Sequence, residues 1–223
     1  MKRILGLWCL LLAATVTSAQ ELTASETAVM AEDYFYGQNG KKKDYDEAAK
    51  WARRAAELGD AIGQFRLGVC YYMGAGLDRD TVEAVRWWVK SAEQGYVRAQ
   101  NNLGVSYSYG HGVAIDNAEA LKWFGKAAEQ GFADAQFNLG LIYEKGRGVT
   151  QDYAIAVTWY RKAAEQGYVK AQSNLAWVYY YGKGVPQNID EARSWLQKAA
   201  AQGDEYAKQQ LKEWFGETLR IKE

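Results

Sequence analysis

Residues 99–131 read AQNNLGVSYSYGHGVAIDNAEALKWFGKAAEQG, and residues 135–167 read AQFNLGLIYEKGRGVTQDYAIAVTWYRKAAEQG. The second stretch restates the first 36 residues later without a gap. The offset continues outward on both sides. It relates Gly59, Gly95, Gly131, Gly167 and Gly203, and also Trp51, Trp87, Trp123, Trp159 and Trp195. It relates Leu67, Leu103, Leu139, Leu175 and Leu211, and also Ala48, Ala84, Ala120, Ala156 and Ala192. Tyr71, Tyr107, Tyr143 and Tyr179 follow it, as do the turn glycines Gly76, Gly112, Gly148 and Gly184. A fixed period of this length marks a stacked array in which each copy covers its neighbour's apolar face.

Each copy reads as two helices. Ala99, Leu103 and Tyr107 fall at i, i+4 and i+8, one stripe of a helix. Gly110 ends that helix, and His111-Gly112-Val113 turn the chain. Asp116 then caps a second helix, and Glu119 is placed to complete a capping box, as Asp44/Glu47, Asp80/Glu83 and Asn188/Glu191 would in other copies. Asp152 keeps the cap, but Ile155 replaces the glutamate. Each helix is about 13 residues, too short to persist alone in water, so packing must stabilise it. Gly68, Gly104 and Gly140 (Ala176 in the next copy) leave room, which the repeated tryptophan of the second helix is expected to fill. Asn102, Asn138 and Asn174 share a column and read as structural hydrogen bonders.

The reading is therefore all-α: an α/α superhelical solenoid of five helix-turn-helix copies over 24–59, 60–95, 96–131, 132–167 and 168–203. A C-terminal capping helix follows over 204–221. Ser25 to Tyr36 reads as a degenerate first helix, with Phe35 at the repeated aromatic position and Gln38 where the helix-ending glycine should be. Lys208, Gln209, Lys212 and Glu213 give the last helix a polar outer face.

The N-terminus reads as an export signal. Lys2-Arg3 precede an apolar run from Ile4 to Val16, and small residues stand before Gln20. Thirteen residues are too few to span a bilayer, so cleavage near Ala19-Gln20 is expected, placing residues 20–223 in the periplasm or outside the cell. Cleavage leaves Cys70 as the one cysteine, and it reads as a small buried hydrophobe. With Lys2 and Arg3 removed, 25 basic and 27 acidic side chains remain. That balance does not favour a phosphate backbone, so nucleic acid is not an expected partner. No stable membrane span and a monomer are expected.

The pattern Ala-x-x-x-Leu-Gly-x-x-Tyr-x-x-Gly-x-Gly-Val-x-x-Asp-x-x-x-Ala-x-x-Trp-x-x-Lys-Ala-Ala-x-Gln-Gly resembles the Sel1-like repeat, of the tetratricopeptide type. The resemblance covers roughly residues 24–211. It implies a right-handed superhelix and an adaptor that binds a partner protein or peptide, as exported bacterial members do at the cell envelope. It also implies that first helices line the concave surface. The variable columns there are Phe65, Val69, Tyr72 and Met73; Arg98, Asn101, Val105, Ser108 and Tyr109; Asp134, Phe137, Leu141, Glu144 and Lys145; Lys170, Ser173, Trp177, Tyr180 and Tyr181. Aromatic and arginine side chains are where binding energy concentrates; the alternative is that several of these aromatics pack between neighbouring copies.

Catalytic chemistry is not expected. The one histidine, His111, lies at a turn position occupied by Ala75, Arg147 and Lys183 in other copies, and reads as an exposed loop residue. One His and one Cys make no usual metal cluster, and no metal or cofactor is expected. The Gly-x-Gly turns lack phosphate-loop spacing and follow a helix rather than a strand. The alternative is a cell-wall enzyme or binder, since cysteine-rich relatives are linked to penicillin hydrolysis. Those carry a disulfide in each repeat, and this chain lacks the cysteines.

Overall fold

A computed structural model describes residues 22–216. The export signal expected over residues 1–19 lies outside them. The described residues form eleven helices: α1 (Ala24–Tyr36), α2 (Tyr45–Glu57), α3 (Ala61–Met73), α4 (Thr81–Glu93), α5 (Val97–Tyr109), α6 (Asn117–Glu129), α7 (Ala133–Lys145), α8 (Tyr153–Glu165), α9 (Val169–Tyr181), α10 (Ile189–Ala201) and α11 (Glu205–Phe215). Every helix packs on the next in sequence, and no strand occurs among the described residues. This is the all-α solenoid the periodicity predicts. First helices also approach one another directly, α1 against α3 and α5 against α7, so their layer is the inner one. None of these helices is long and apolar enough to cross a membrane.

The repeated columns form the core. Leu67, Leu103, Leu175 and Leu211 are fully buried, as are Ala48, Ala84, Ala120, Ala156 and Ala192. Cys70 is buried too, and burial pushes its thiol up to about 11. It behaves as the apolar filler its sequence context suggests. The helix-to-helix space over the small residues is filled by a different column from the one expected. A Cβ on Gly104 would lie 2.5 Å from the ring of Phe124, and one on Gly68 would lie 2.5 Å from Trp88 Nε1. Gly140 faces Tyr160 in the same way. The filler is thus the residue after the repeated tryptophan. The repeated tryptophans sit one residue earlier, half-buried at Trp51, Trp87 and Trp159 and buried at Trp123 and Trp195, and a cation from the next turn lies over the ring: Lys90 over Trp87 at 4.0 Å, Lys162 over Trp159 at 4.2 Å and Lys198 over Trp195 at 3.8 Å.

The capping boxes form only by half. Asp116 accepts from the Ala118 and Glu119 amides, and Asp44, Asp80, Asp152 and Asn188 cap in the same manner. The glutamates do not return the bond. Glu47 and Glu119 take Lys50 and Lys122 on the next turn, and Glu191 accepts from Trp195 Nε1. A complete box forms where none was expected, at Thr23 and Glu26 ahead of α1.

The first turn is one residue longer than the others. The amide opening each second helix donates to a tyrosine carbonyl of the first: Asp80 to Tyr71, Asp116 to Tyr107, Asp152 to Tyr143, Asn188 to Tyr179. In the first copy Asp44 donates to Tyr34, ten residues back rather than nine. Tyr34, not Phe35, therefore holds the repeated aromatic position, and Gly37 (φ 72°) is the helix-ending glycine. Of the capping helix expected over 204–221, residues 217–221 lie outside the described residues. Gly216 adopts a left-handed conformation and ends α11 at Phe215.

A buried amide ladder ties the copies together. The side chains of Gln64, Gln100, Gln136 and Gln172 are 4–6% exposed. Gln100 Nε2 donates to the Ala92 carbonyl of the preceding copy at 3.2 Å, and its oxygen accepts from Gln130 at 2.7 Å. Gln136 and Gln172 repeat both bonds. Gln100→Leu keeps the bulk but orphans the Ala92 carbonyl and the Gln130 amide. We expect a loss of about 1–3 kcal/mol, read as a lower urea midpoint. An unchanged midpoint would show the ladder to be energetically neutral.

Candidate functional site

The inner face is built from α1, α3, α5, α7, α9 and α11, and parts of it are closed by packing. The buried guanidinium of Arg66 pairs with Glu32, takes a bond to Tyr36 Oη, and lies 4.3 Å from the centre of the Phe35 ring. Burial opposes its charge, but Glu32 and Tyr36 together hold it protonated. This seals the N-terminal end.

Several expected contact residues serve the stacking of copies instead. Phe65, 7% exposed, packs on Tyr96, the residue that opens the next first helix, at 5.1 Å between ring centres. Phe137 packs on Tyr168 at 5.3 Å, and buried Ser173 donates to Asp204 at 2.6 Å. Phe65, Phe137 and Ser173 share one column. That column locks each copy to the entry of its successor, so Phe65 and Phe137 are interlocking residues. Tyr96, Phe132 and Tyr168 open their helices without a side-chain cap bond. Two of these rings are fixed by this column. Tyr180 lies stacked on Trp214 of α11, 3.9 Å between centres. Asn101 accepts from Asn138 at 3.2 Å. Arg98 and Lys170 are exposed, and border neither of the grooves below.

Two grooves stay open, at equivalent places two copies apart. The proximal one, about 420 Å³, lies between α3 and α5. Val69, Tyr72, Met73, Trp88 and Val105 form an apolar floor, and Asn102, Ser106 and His111 supply polar groups. His111 is half-buried here rather than exposed. It lies 3.4 Å from Tyr72 Oη and stacks near Tyr109. Arg79 and Arg147 stand over the Tyr72 and Tyr109 rings, giving this end a basic rim. Asn102 lines the groove, so its column is structural only in part: Asn138 bonds Asn101, and Asn174 bonds Tyr160.

The distal groove, about 300 Å³, is lined by Leu141, Glu144, Lys145, Tyr153, Asn174, Trp177 and Tyr206. Glu144 is 7% exposed, a buried carboxylate rather than a surface charge. It accepts from Tyr160 Oη at 2.6 Å. Burial first, then Glu144, pushes the Tyr160 phenol far above its ordinary range. Tyr181 stands beside Trp177 at the rim, half exposed. Periodicity could not have marked Glu144 as buried, because its column holds Tyr72, Ser108 and Tyr180 elsewhere.

Antiparallel helix pairs in constant phase, with an open inner face, define an α/α repeat solenoid. The Sel1 repeat profile matches residues 29–60, 61–96, 97–132, 133–168 and 169–204. The chain belongs to the Sel1 repeat family, whose fold typically serves protein–protein interaction and is generally a non-catalytic scaffold. It is similar to a Sel1 repeat protein of Oxalobacter formigenes, at 35% identity and TM-score 0.78, over 83% of this chain and 74% of that one. It is also similar to a protective antigen of uropathogenic Escherichia coli with an SLR fold, at 36% identity and TM-score 0.79. That match covers 86% of this chain but only 42% of the antigen. An immunity protein of Pseudomonas aeruginosa shares the fold at 22% identity and TM-score 0.53, over 86% of this chain and 72% of that one. No curated protein matches the chain by sequence.

Proposed function

We propose that this protein is a non-enzymatic adaptor that holds a segment of a partner protein along the inner face of the solenoid, outside the cytoplasm. The proximal groove carries the reading. An apolar floor with a few convergent polar groups suits a side chain from a partner. Met73 and Tyr109 beside it are 58% and 54% exposed, large side chains that offer apolar area to a partner. Such residues are common anchors in interfaces.

The test uses side chains whose loss leaves the fold intact. A partner is first captured by photo-crosslinking from Met73, with Lys90 on the outer face as control. Replacing Met73, Tyr109 and Tyr181 together by Ala should then weaken its binding at least tenfold, with unchanged helicity. Equal crosslinking from Lys90, or unchanged affinity in the triple variant, would refute the inner face as the binding surface. The location rests on the Lys2-Arg3 pair and the apolar run that follows. The intact mass of the protein from its native host should correspond to a chain starting at Gln20, and a mass retaining Met1 would refute export by cleavage.

A further inference from the structure

We infer that the distal groove is a socket for a cationic side chain, lysine or arginine, of the bound partner. This deepens the inner-face reading and rests on it. The socket combines a buried carboxylate with aromatic walls. Glu144 sits at its base, and Trp177, Tyr153 and Tyr206 line it. A carboxylate offers about four lone-pair positions. Tyr160 Oη occupies one and Lys145 Nζ, at 2.5 Å, another. That leaves capacity for a further donor on a residue that lines the cavity.

Charge complementarity selects the occupant. A cation over aromatic faces and against a partly desolvated carboxylate gains from both. An acidic or neutral guest gains from neither. Lys145 already shows the pairing, because its own ammonium rests on Glu144. Only the Glu144 end of this pair is buried; the Lys145 side chain is 55% exposed, so its ammonium can return to water when another cation takes its place. It acts as an internal competitor that a guest cation replaces. The carboxylate is peculiar to this copy. The equivalent positions hold Tyr72, Ser108 and Tyr180, and the proximal groove has a basic rim in its place. The two grooves thus differ in what they accept: an apolar side chain near Tyr72, a basic one at Glu144. Two copies correspond to roughly 20 Å at ordinary helix spacing, about six residues of extended chain.

The probe is Nα-acetyl-lysine methylamide, with Nα-acetyl-norleucine methylamide as its uncharged counterpart, titrated into the mature protein while the Trp177 indole NH is followed by NMR. Millimolar, saturable shifts are expected for the lysine probe, with the norleucine probe at least tenfold weaker. Lys145→Ala should tighten the lysine probe about threefold or more, and Glu144→Gln should weaken it at least tenfold. Lys145→Ala alters an exposed side chain and so reports even where Glu144→Gln fails to fold. Equal binding of the two probes, or no tightening in Lys145→Ala, would overturn the socket. A captured partner that binds through Met73 and Tyr109 but ignores the Lys145 and Glu144 changes would overturn it while leaving the inner-face reading in place.

Discussion

Gly112→Ala is expected to destabilise the protein by about 3 kcal/mol or more, a large effect for a single methyl group and one that Gly76→Ala, with the same clash on Tyr45, should match. Two penalties coincide. The residue has φ 75°, a region costly for any side chain. Its turn also rests directly on the preceding copy, where an added Cβ would land inside the Thr81 carbonyl oxygen at the start of α4. Backbone cannot move aside as a flexible side-chain end can. Equilibrium unfolding in urea gives the measurement, and a loss below about 1 kcal/mol would show that the turn does not bear on its neighbour. The first turn supplies the control. Asn39 (φ 49°) holds the position of Gly76 once the extra residue is counted, and no earlier copy lies beneath it among the described residues. Asn39→Gly should therefore be nearly neutral by comparison.

The second large effect is a coupling. Gly104→Ala places a Cβ 2.5 Å from the Phe124 ring and should cost about 1–2 kcal/mol, even after the better helix propensity of alanine is credited. Phe124→Leu alone opens a cavity and should cost a similar amount or more. Together they reproduce the pair that the last copy uses, Ala176 and Leu196, both fully buried in one cluster. The double variant should recover at least about 1 kcal/mol relative to the sum of the singles. Simple additivity would mean that the glycine and the ring do not meet.

These sites show what the sequence disclosed and what it withheld. The constant offset revealed the number of copies, the helix-ending glycines and the leucine and alanine columns, because those positions tolerate little variation. It could not decide which of two adjacent aromatics fills the space over Gly104. Trp123 and Phe124 are both large and apolar, and neighbours on a helix differ only by the direction they point. Tyr34-Phe35-Tyr36 hid the extra residue of the first turn, since three rings in a row satisfy the column in any register. The glutamine ladder went unread, because the carbonyls it bonds lie in the preceding copy and only packing brings them together. For the candidate contact surface, the variable columns supplied the residues to examine. Phe65 and Phe137 were lost from it because the next copy's Tyr96 and Tyr168 claim them. Glu144 changed meaning because Tyr160 buries it.

The docking of each turn onto the start of the helix before it gives the molecule a direction. Every later copy leans on a predecessor, whereas the first described one, with its longer turn and its asparagine, has no such seat among the described residues. Growth by duplication is thus possible anywhere behind that first unit, in whole steps of the period, with each newcomer inheriting a finished seat. A copy cut from the middle and placed in front would arrive with a glycine poised over empty solvent. Lengthening in this lineage should therefore be found on the interior and trailing side, with the leading unit left alone.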